Sequence, residues 1–174
     1  MSQAKAVKFE VLSNQHIEPL FQFELENRSW FESLITSRGD NFYTLAAVKE
    51  HILDCTANAK LGIGYSGVLI KNGVIVARGN LKNIDCENRV CSVGYRVAKN
   101  SVGQGYASYC LAELIKIASN NYSLCKLEAQ VLDNNPASVA VLTKLGFKVK
   151  SYQSNFMTLN GKNYGCTTFR LLLK

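Results

Sequence analysis

No apolar run in this sequence reaches the roughly 18 residues needed to span a bilayer, and its first residues, MSQAKAVKFEVL, lack the apolar centre of a signal peptide. A cytoplasmic protein with no membrane partner is the expectation. Metal-ligand spacing is missing too. None of the six cysteines forms a CxxC pair, and His16 and His51 belong to no set of ligand residues at metal-site spacing, so no metal site is expected. Cys86, Cys91, Cys110 and Cys125 fall inside strand- or helix-like segments, which favours reduced thiols over bridges. Nucleotide signatures are incomplete: GxxxxGK[ST] is absent, and Tyr106, Ala107 and Ser108 follow Gly103-Gln104-Gly105, leaving out the third glycine of GxGxxG. The formal net charge is +7, which favours anionic partners. No lysine/arginine run or RNP-like aromatic cluster concentrates it, so there is no direct nucleic-acid motif.

What is present suits one globular domain over residues 1–174. A chain of 174 residues, 47% hydrophobic and 19% charged, is long enough to bury a core without metal or disulfide staples. The stretch from Val93 to Ala118 is the most informative. Val93, Tyr95 and Val97 alternate as in a strand; Ser101 to Gly105 reads as a glycine turn. Ala107, Cys110, Leu111, Leu114, Ile115 and Ala118 then recur at helical spacing. A strand feeding a glycine turn into a helix N-terminus is suited to phosphate, because the first N–H groups of the helix lack internal partners and Gly103 and Gly105 can take positive φ. A tight turn that binds nothing is the alternative.

Around this stretch the pattern predicts, in order, a strand at Val7 to Leu12 and helices over Ile17 to Asn27, Arg28 to Ser37 and Phe42 to Ala59. The long helix would bury Leu45, Val48, Ile52 and Leu53. Tyr65 to Lys71 and Val74 to Asn80 flank Asn72-Gly73, a type I′ hairpin signal, and Leu81 to Asp85 extends the second strand. Arg89 to Val97 returns as a third. Lys126 to Leu132 should lie parallel to the strand before the central helix, completing a βαβ unit. Asn135 and Pro136 start another helix, through Val139, Leu142 and Leu145 to Gly146. A strand begins at Phe147 to Tyr152, and Tyr164 to Leu173 closes a hairpin turned at Asn160-Gly161.

Two motifs in this order resemble the GNAT superfamily of N-acetyltransferases. Gly94-Tyr95-Arg96-Val97 with Gly103-Gln104-Gly105-Tyr106-Ala107 is similar to that family's acetyl-CoA pyrophosphate loop. Asn135-Pro136-Ala137-Ser138 through Lys144-Leu145-Gly146-Phe147 is similar to its N-x-A-S helix. Glu26-Asn27-Arg28 followed by Trp30 resembles the RimJ/RimL-type ribosomal-protein N-terminal acetyltransferases. The sequence departs from the pattern at Asn100, where glutamine or arginine is usual.

The resemblance implies a GNAT fold: α/β, one mixed, mostly antiparallel sheet flanked by helices around a central βαβ acetyl-CoA-binding unit whose parallel strands splay to admit the cofactor. It implies transfer of acetyl from acetyl-CoA to an amine by direct attack in a ternary complex, in a monomer or homodimer. The main chain of Gly103, Gln104, Gly105, Tyr106, Ala107 and Ser108 would hold the pyrophosphate; Tyr95, Arg96 and Val97 would pair with pantetheine. Asn135 would bond a pantetheine amide or merely cap its helix. Ser138 would protonate the leaving thiolate or be an ordinary first-turn serine. Glu26, Asn27 and Trp30 would contact the acceptor. In the RimL-like pattern a glutamate before the last hairpin acts as base; here Met157 falls about there, leaving Glu26, Glu128 or a held water. The expected acceptor is a protein or peptide α-amine, whose pKa of about 8 asks less of a base than the about 10.4 of lysine. A small amine, or a CoA-binding module without turnover, are the alternatives.

Overall fold

The computed structural model describes residues 7–173. The elements run β1 (Lys8–Val11), α1 (Ile17–Glu26), α2 (Arg28–Glu32), α3 (Leu45–Lys60), β2 (Gly64–Lys71), β3 (Val74–Asp85), β4 (Val90–Val97), α4 (Tyr106–Tyr122), β5 (Lys126–Leu132), α5 (Pro136–Lys144), β6 (Lys148–Leu159) and β7 (Lys162–Leu172). They build one seven-stranded sheet in the order β1-β2-β3-β4-β5-β7-β6. Every neighbouring pair is antiparallel except β4 and β5. No helix among the described residues is long and apolar enough to cross a membrane.

Strand alternation sends successive side chains to opposite faces, and each face has its own core. On one, Leu69, Ala77, Cys91, Val93, Leu127 and Ala129 pack against Cys110, Leu111, Leu114 and Ala118 of α4. On the other, Val68 and Ile75 meet Leu20 and Phe23 of α1, Phe31 of α2, and Val48 and Ile52 of α3. Gly79 is where α4 comes closest to the sheet: a Cβ there would lie 2.6 Å from Leu114 Cδ1 and 2.7 Å from Cys110 Sγ.

Several boundaries differ from the sequence pattern. The second helix stops at Glu32, not Ser37, because Ser33 Oγ donates to the Trp30 carbonyl at 2.7 Å and competes with the helical ladder. The third starts at Leu45, where Thr44 caps it by accepting from Ala47 N at 3.2 Å. Its Leu45 and Leu53 are exposed, as is Val139 of α5, since only one stripe of each helix reaches the sheet. β6 is continuous as far as Leu159, with register shifts after Val149 and Gln153 that bend it instead of breaking it.

The feature that positions the site is the seam between β4 and β5. Their parallel pairing covers only Val90, Cys91 and Ser92 against Lys126, Leu127 and Glu128. Beyond it, β4 stays paired to β3 as far as Val97, and β5 to β7 as far as Leu132. The two halves of the sheet therefore diverge into a cleft, with one side of Gly94 to Val97 left without a strand partner.

Candidate active site

At the end of β4 the chain passes through a 3-10 turn, Lys99–Ser101, into the glycine turn. Gly103 and Gly105 have φ of +75° and +81°, in the left-handed region that a side chain resists, and a Cβ on either would meet nothing within 4 Å. They are glycines for conformation and open approach, not for packing. Gly105 is the N-cap of α4 and brings no side-chain cap. The amides of Tyr106, Ala107 and Ser108 consequently face outward, with the helix dipole behind them. The Tyr106 side chain is buried in the core, so only its main chain could serve a ligand. Gln104 donates to Asn100 O at 3.3 Å and accepts from Lys71 at 3.4 Å, which folds it back onto the turn.

Across the cleft, α5 places two polar groups. Asn135 Oδ1 accepts from Ser138 N at 3.1 Å, the N-cap bond, while its amide NH2 makes no hydrogen bond among the described residues. Ser138 Oγ lies 2.7 Å from the Tyr95 hydroxyl. Burial pushes the Tyr95 phenol up to about 12, so it stays protonated at any physiological pH and can donate to the serine. The sequence brought Tyr95 forward only for its backbone. The hydroxyl pairing was not legible, because it joins β4 to a helix 43 positions on.

The helices before the hairpin hold a different arrangement from the expected one. Asn27 is buried with both side-chain atoms committed: Nδ2 donates to Phe23 O at 2.8 Å and Oδ1 accepts from Lys99 N at 2.8 Å. Trp30 Nε1 donates to Val97 O at 3.2 Å. Both fasten the α1–α2 corner to the start of the glycine turn. Glu26 is exposed and lines a separate cavity with Pro19, Val74, Ala98 and Ser101. Asn27 lines that cavity as well, while Trp30 is turned to the Val97 carbonyl. Glu128, also a candidate base, accepts from Lys150 at 2.8 Å and Arg170 at 2.9 Å. These bonds, Lys150 first, hold its carboxylate below the ordinary range and make it a weak proton acceptor. Met157 accepts a hydrogen bond from Thr36 Oγ1 at 3.1 Å.

Two features had no sequence motif. Asn134 donates to Ser33 O at 2.8 Å, and its buried Oδ1 has no partner among the described residues, an acceptor open to a ligand's N–H. Behind the Trp30 corner, Glu24 and Arg78 are almost wholly buried and paired at 2.6 Å, with Arg96 at 3.1 Å and Arg38 at 4.0 Å from the same carboxylate. Burial alone would raise the Glu24 pKa, but Arg78, Arg96 and Arg38 outweigh it and hold it lowered. His51 Nε2 accepts from Arg78 at 2.9 Å. Burial, then the Arg78 charge, drives the imidazole down to about 3, so it is neutral in the folded protein. An unfolded histidine takes a proton near pH 6.5. Stability is therefore expected to decline as pH falls from about 6.5 toward 3, and the decline between pH 7 and 5 should flatten in His51→Gln. Thermal melts of both proteins across that range would check it; parallel slopes would remove His51 as the cause.

A short parallel seam that opens beside a strand, glycine turn and helix, with the hydroxyl of a second helix at the opening, defines the fold of the GNAT acetyltransferases. The chain belongs to the acetyltransferase (GNAT) domain family, whose profile matches residues 7–148. It is 25% identical over 108 residues to an uncharacterized N-acetyltransferase p20 of Bacillus licheniformis; the match covers 62% of this chain and 61% of that protein, just under two thirds of its length. A probable N-acetyltransferase of Bacillus subtilis, YjcK, is 23% identical over 171 residues, covering 92% and 91% of the two chains. Among solved structures, a RimL ribosomal L7/L12 α-N-protein acetyltransferase in complex with coenzyme A superposes with a TM-score of 0.88 at 16% identity, covering 98% of this chain and 96% of that one. At that identity the likeness is one of fold.

Proposed function

We propose that this chain is an acetyl-CoA-dependent N-acetyltransferase acting on a protein or peptide α-amine. The observation that carries the reading is the Tyr95–Ser138 hydroxyl pair, 2.7 Å apart, at the cleft where β4 and β5 part. Thiol release from acetyl-CoA in the presence of N-terminal peptides and small amines tests it.

The residues fit the cofactor. Gly103 and Gly105 leave open space in front of the α4 N-terminus for a pyrophosphate, contacted by the main chain from Gly103 to Ser108. The unpartnered side of β4, at Tyr95 to Val97, offers pantetheine a strand to pair with. Asn135 caps α5 with its oxygen and keeps its NH2 for a pantetheine carbonyl, so its structural and binding roles are compatible. When bound, acetyl-CoA supplies an activated acetyl thioester. Ser138 holds a proton at Oγ for the departing sulfur, and Tyr95 aims that hydroxyl and passes its own proton to it, the proton shed by the attacking amine returning to the pair. Asn27 and Trp30 contribute by fixing the glycine turn, and Glu26 stays at its outer side. The orphan Asn134 oxygen, beside the end of α2, suits the N–H of an acceptor.

Gly103→Val is expected to weaken acetyl-CoA binding by at least about tenfold. A β-branched residue at φ +75° costs about 1–2 kcal/mol in backbone strain, and its side chain stands where phosphate oxygens approach. Calorimetry with acetyl-CoA measures the change; unaltered affinity would place the pyrophosphate elsewhere. One observation favours a second reading, a CoA-binding module without turnover: the methionine at position 157 cannot accept a proton. Acetyl-CoA binding with no thiol release on any amine would establish that alternative.

A further inference from the structure

Positive charge collects on the face of the sheet that carries α1 and α3. Arg78 and Arg96 are cross-strand partners and converge with Arg38 on Glu24, while neutral His51 adds nothing. Three guanidinium groups thus face one carboxylate. On the same face, where the cleft opens, lies a cavity of about 420 Å³ lined by Asn80, Lys82, Gly94, Glu128, Gln130 and Lys150. Gly94 and Gln130 sit just past the last paired positions of β4 and β5, so the cavity spans the mouth of the cleft. Its one lining carboxylate, Glu128, is already matched by Lys150 and Arg170. Lys82 makes no ion pair among the described residues. The residue is exposed overall, but partial desolvation along the sheet, and then Arg38, Arg78 and Arg96, hold its ammonium below the ordinary range, which links the cluster to the cavity wall.

We propose that the acceptor is a peptide N-terminus followed closely by an acidic residue, whose carboxylate is held against Lys82 at the mouth of the cleft. The inference rests on the acetyltransferase reading above. The guanidinium groups are committed to Glu24 and set the field, leaving one exposed ammonium as the point of contact, and a point charge suits a carboxylate. The same field repels a polycation and disfavours the charged form of an incoming amine. The neutral amine that attack requires is thereby favoured in a site where residue 157 supplies no base.

Three peptides that differ only after a leading serine, continuing with aspartate, asparagine or lysine, test this with acetyl-CoA and a thiol readout. At low salt the aspartate peptide should exceed the asparagine peptide in kcat/KM by about tenfold, and the lysine peptide should be poorest. The gap should narrow as salt is raised. Lys82→Glu should move the preference to the lysine peptide. Equal kcat/KM for all three peptides, or an order unchanged by Lys82→Glu, overturns the inference and leaves the acetyltransferase reading standing. Bound acetyl-CoA with no thiol release on any peptide or small amine overturns both.

Discussion

Glu24→Ala is expected to destabilise the protein by about 3–5 kcal/mol, because it strands Arg78 in the interior without its anion. Both side chains are almost fully buried, so solvent cannot take over the role of the missing partner. In the wild type, the desolvation of each charge is offset by a bond of 2.6 Å and by a second contact, to Arg96 for the glutamate and to His51 for the arginine. The loss should appear as a fall in melting temperature of roughly 10 °C or more for a domain of this size. Replacing both partners with apolar residues of similar volume, as in Glu24→Leu with Arg78→Met, should recover much of it. A single variant that melts within a degree or two of wild type would show that Arg78 finds another partner or reaches water.

The second large effect is on turnover. Ser138→Ala is expected to lower kcat by about 10²- to 10⁴-fold, the usual range for a lost proton donor, while acetyl-CoA affinity changes little. The hydroxyl is half-buried, and among the described residues its one side-chain partner is the Tyr95 phenol. Removing one oxygen leaves the proposed cofactor contacts of the glycine turn and Asn135 intact. Tyr95→Phe should give a milder loss, since Ser138 keeps its proton but loses the group that aims it. In the double variant, Tyr95→Phe should then add almost nothing to Ser138→Ala, because the two act as one unit. Steady-state kinetics with calorimetry in parallel separates the two roles. Unchanged kcat in the serine variant would reduce Ser138 to an ordinary first-turn residue.

The sequence displays the seams of this fold more clearly than its interior chemistry. Asn72-Gly73 and Asn160-Gly161 announce hairpins because positive φ at a turn demands those residues, and Pro136 after Asn135 announces a helix start for an equally local reason. The glycine turn before α4 was legible on the same terms, since it is a contiguous signal. The buried charge cluster was not. Glu24 lies among Leu20, Phe23 and Asn27 on the buried stripe of α1, and Arg78 interrupts the apolar run Val74 to Ala77. Each looks like a flaw in a pattern until the fold sets them side by side, 54 positions apart. Asn27 was legible only through its place in a family-like motif; its hydrogen bonds to Phe23 and Lys99 depend on contacts that no local pattern announces.

The seam between β4 and β5 has a mechanical consequence. Only three residue pairs knit strands β1 to β4 to strands β5 to β7, whereas β5 is paired to β7 along its full length. The sheet is thus two plates on a narrow seam, joined as well by α4 and α5 across one face and by the Asn134–Ser33 and Met157–Thr36 bonds after α2. A ligand lying in the cleft and bonded to both plates would act as a strut. Amide exchange along Lys126 to Leu132 should then slow when acetyl-CoA binds, far from the phosphate contacts themselves. A cofactor consumed in each turnover would in this way also set how firmly the two halves are joined.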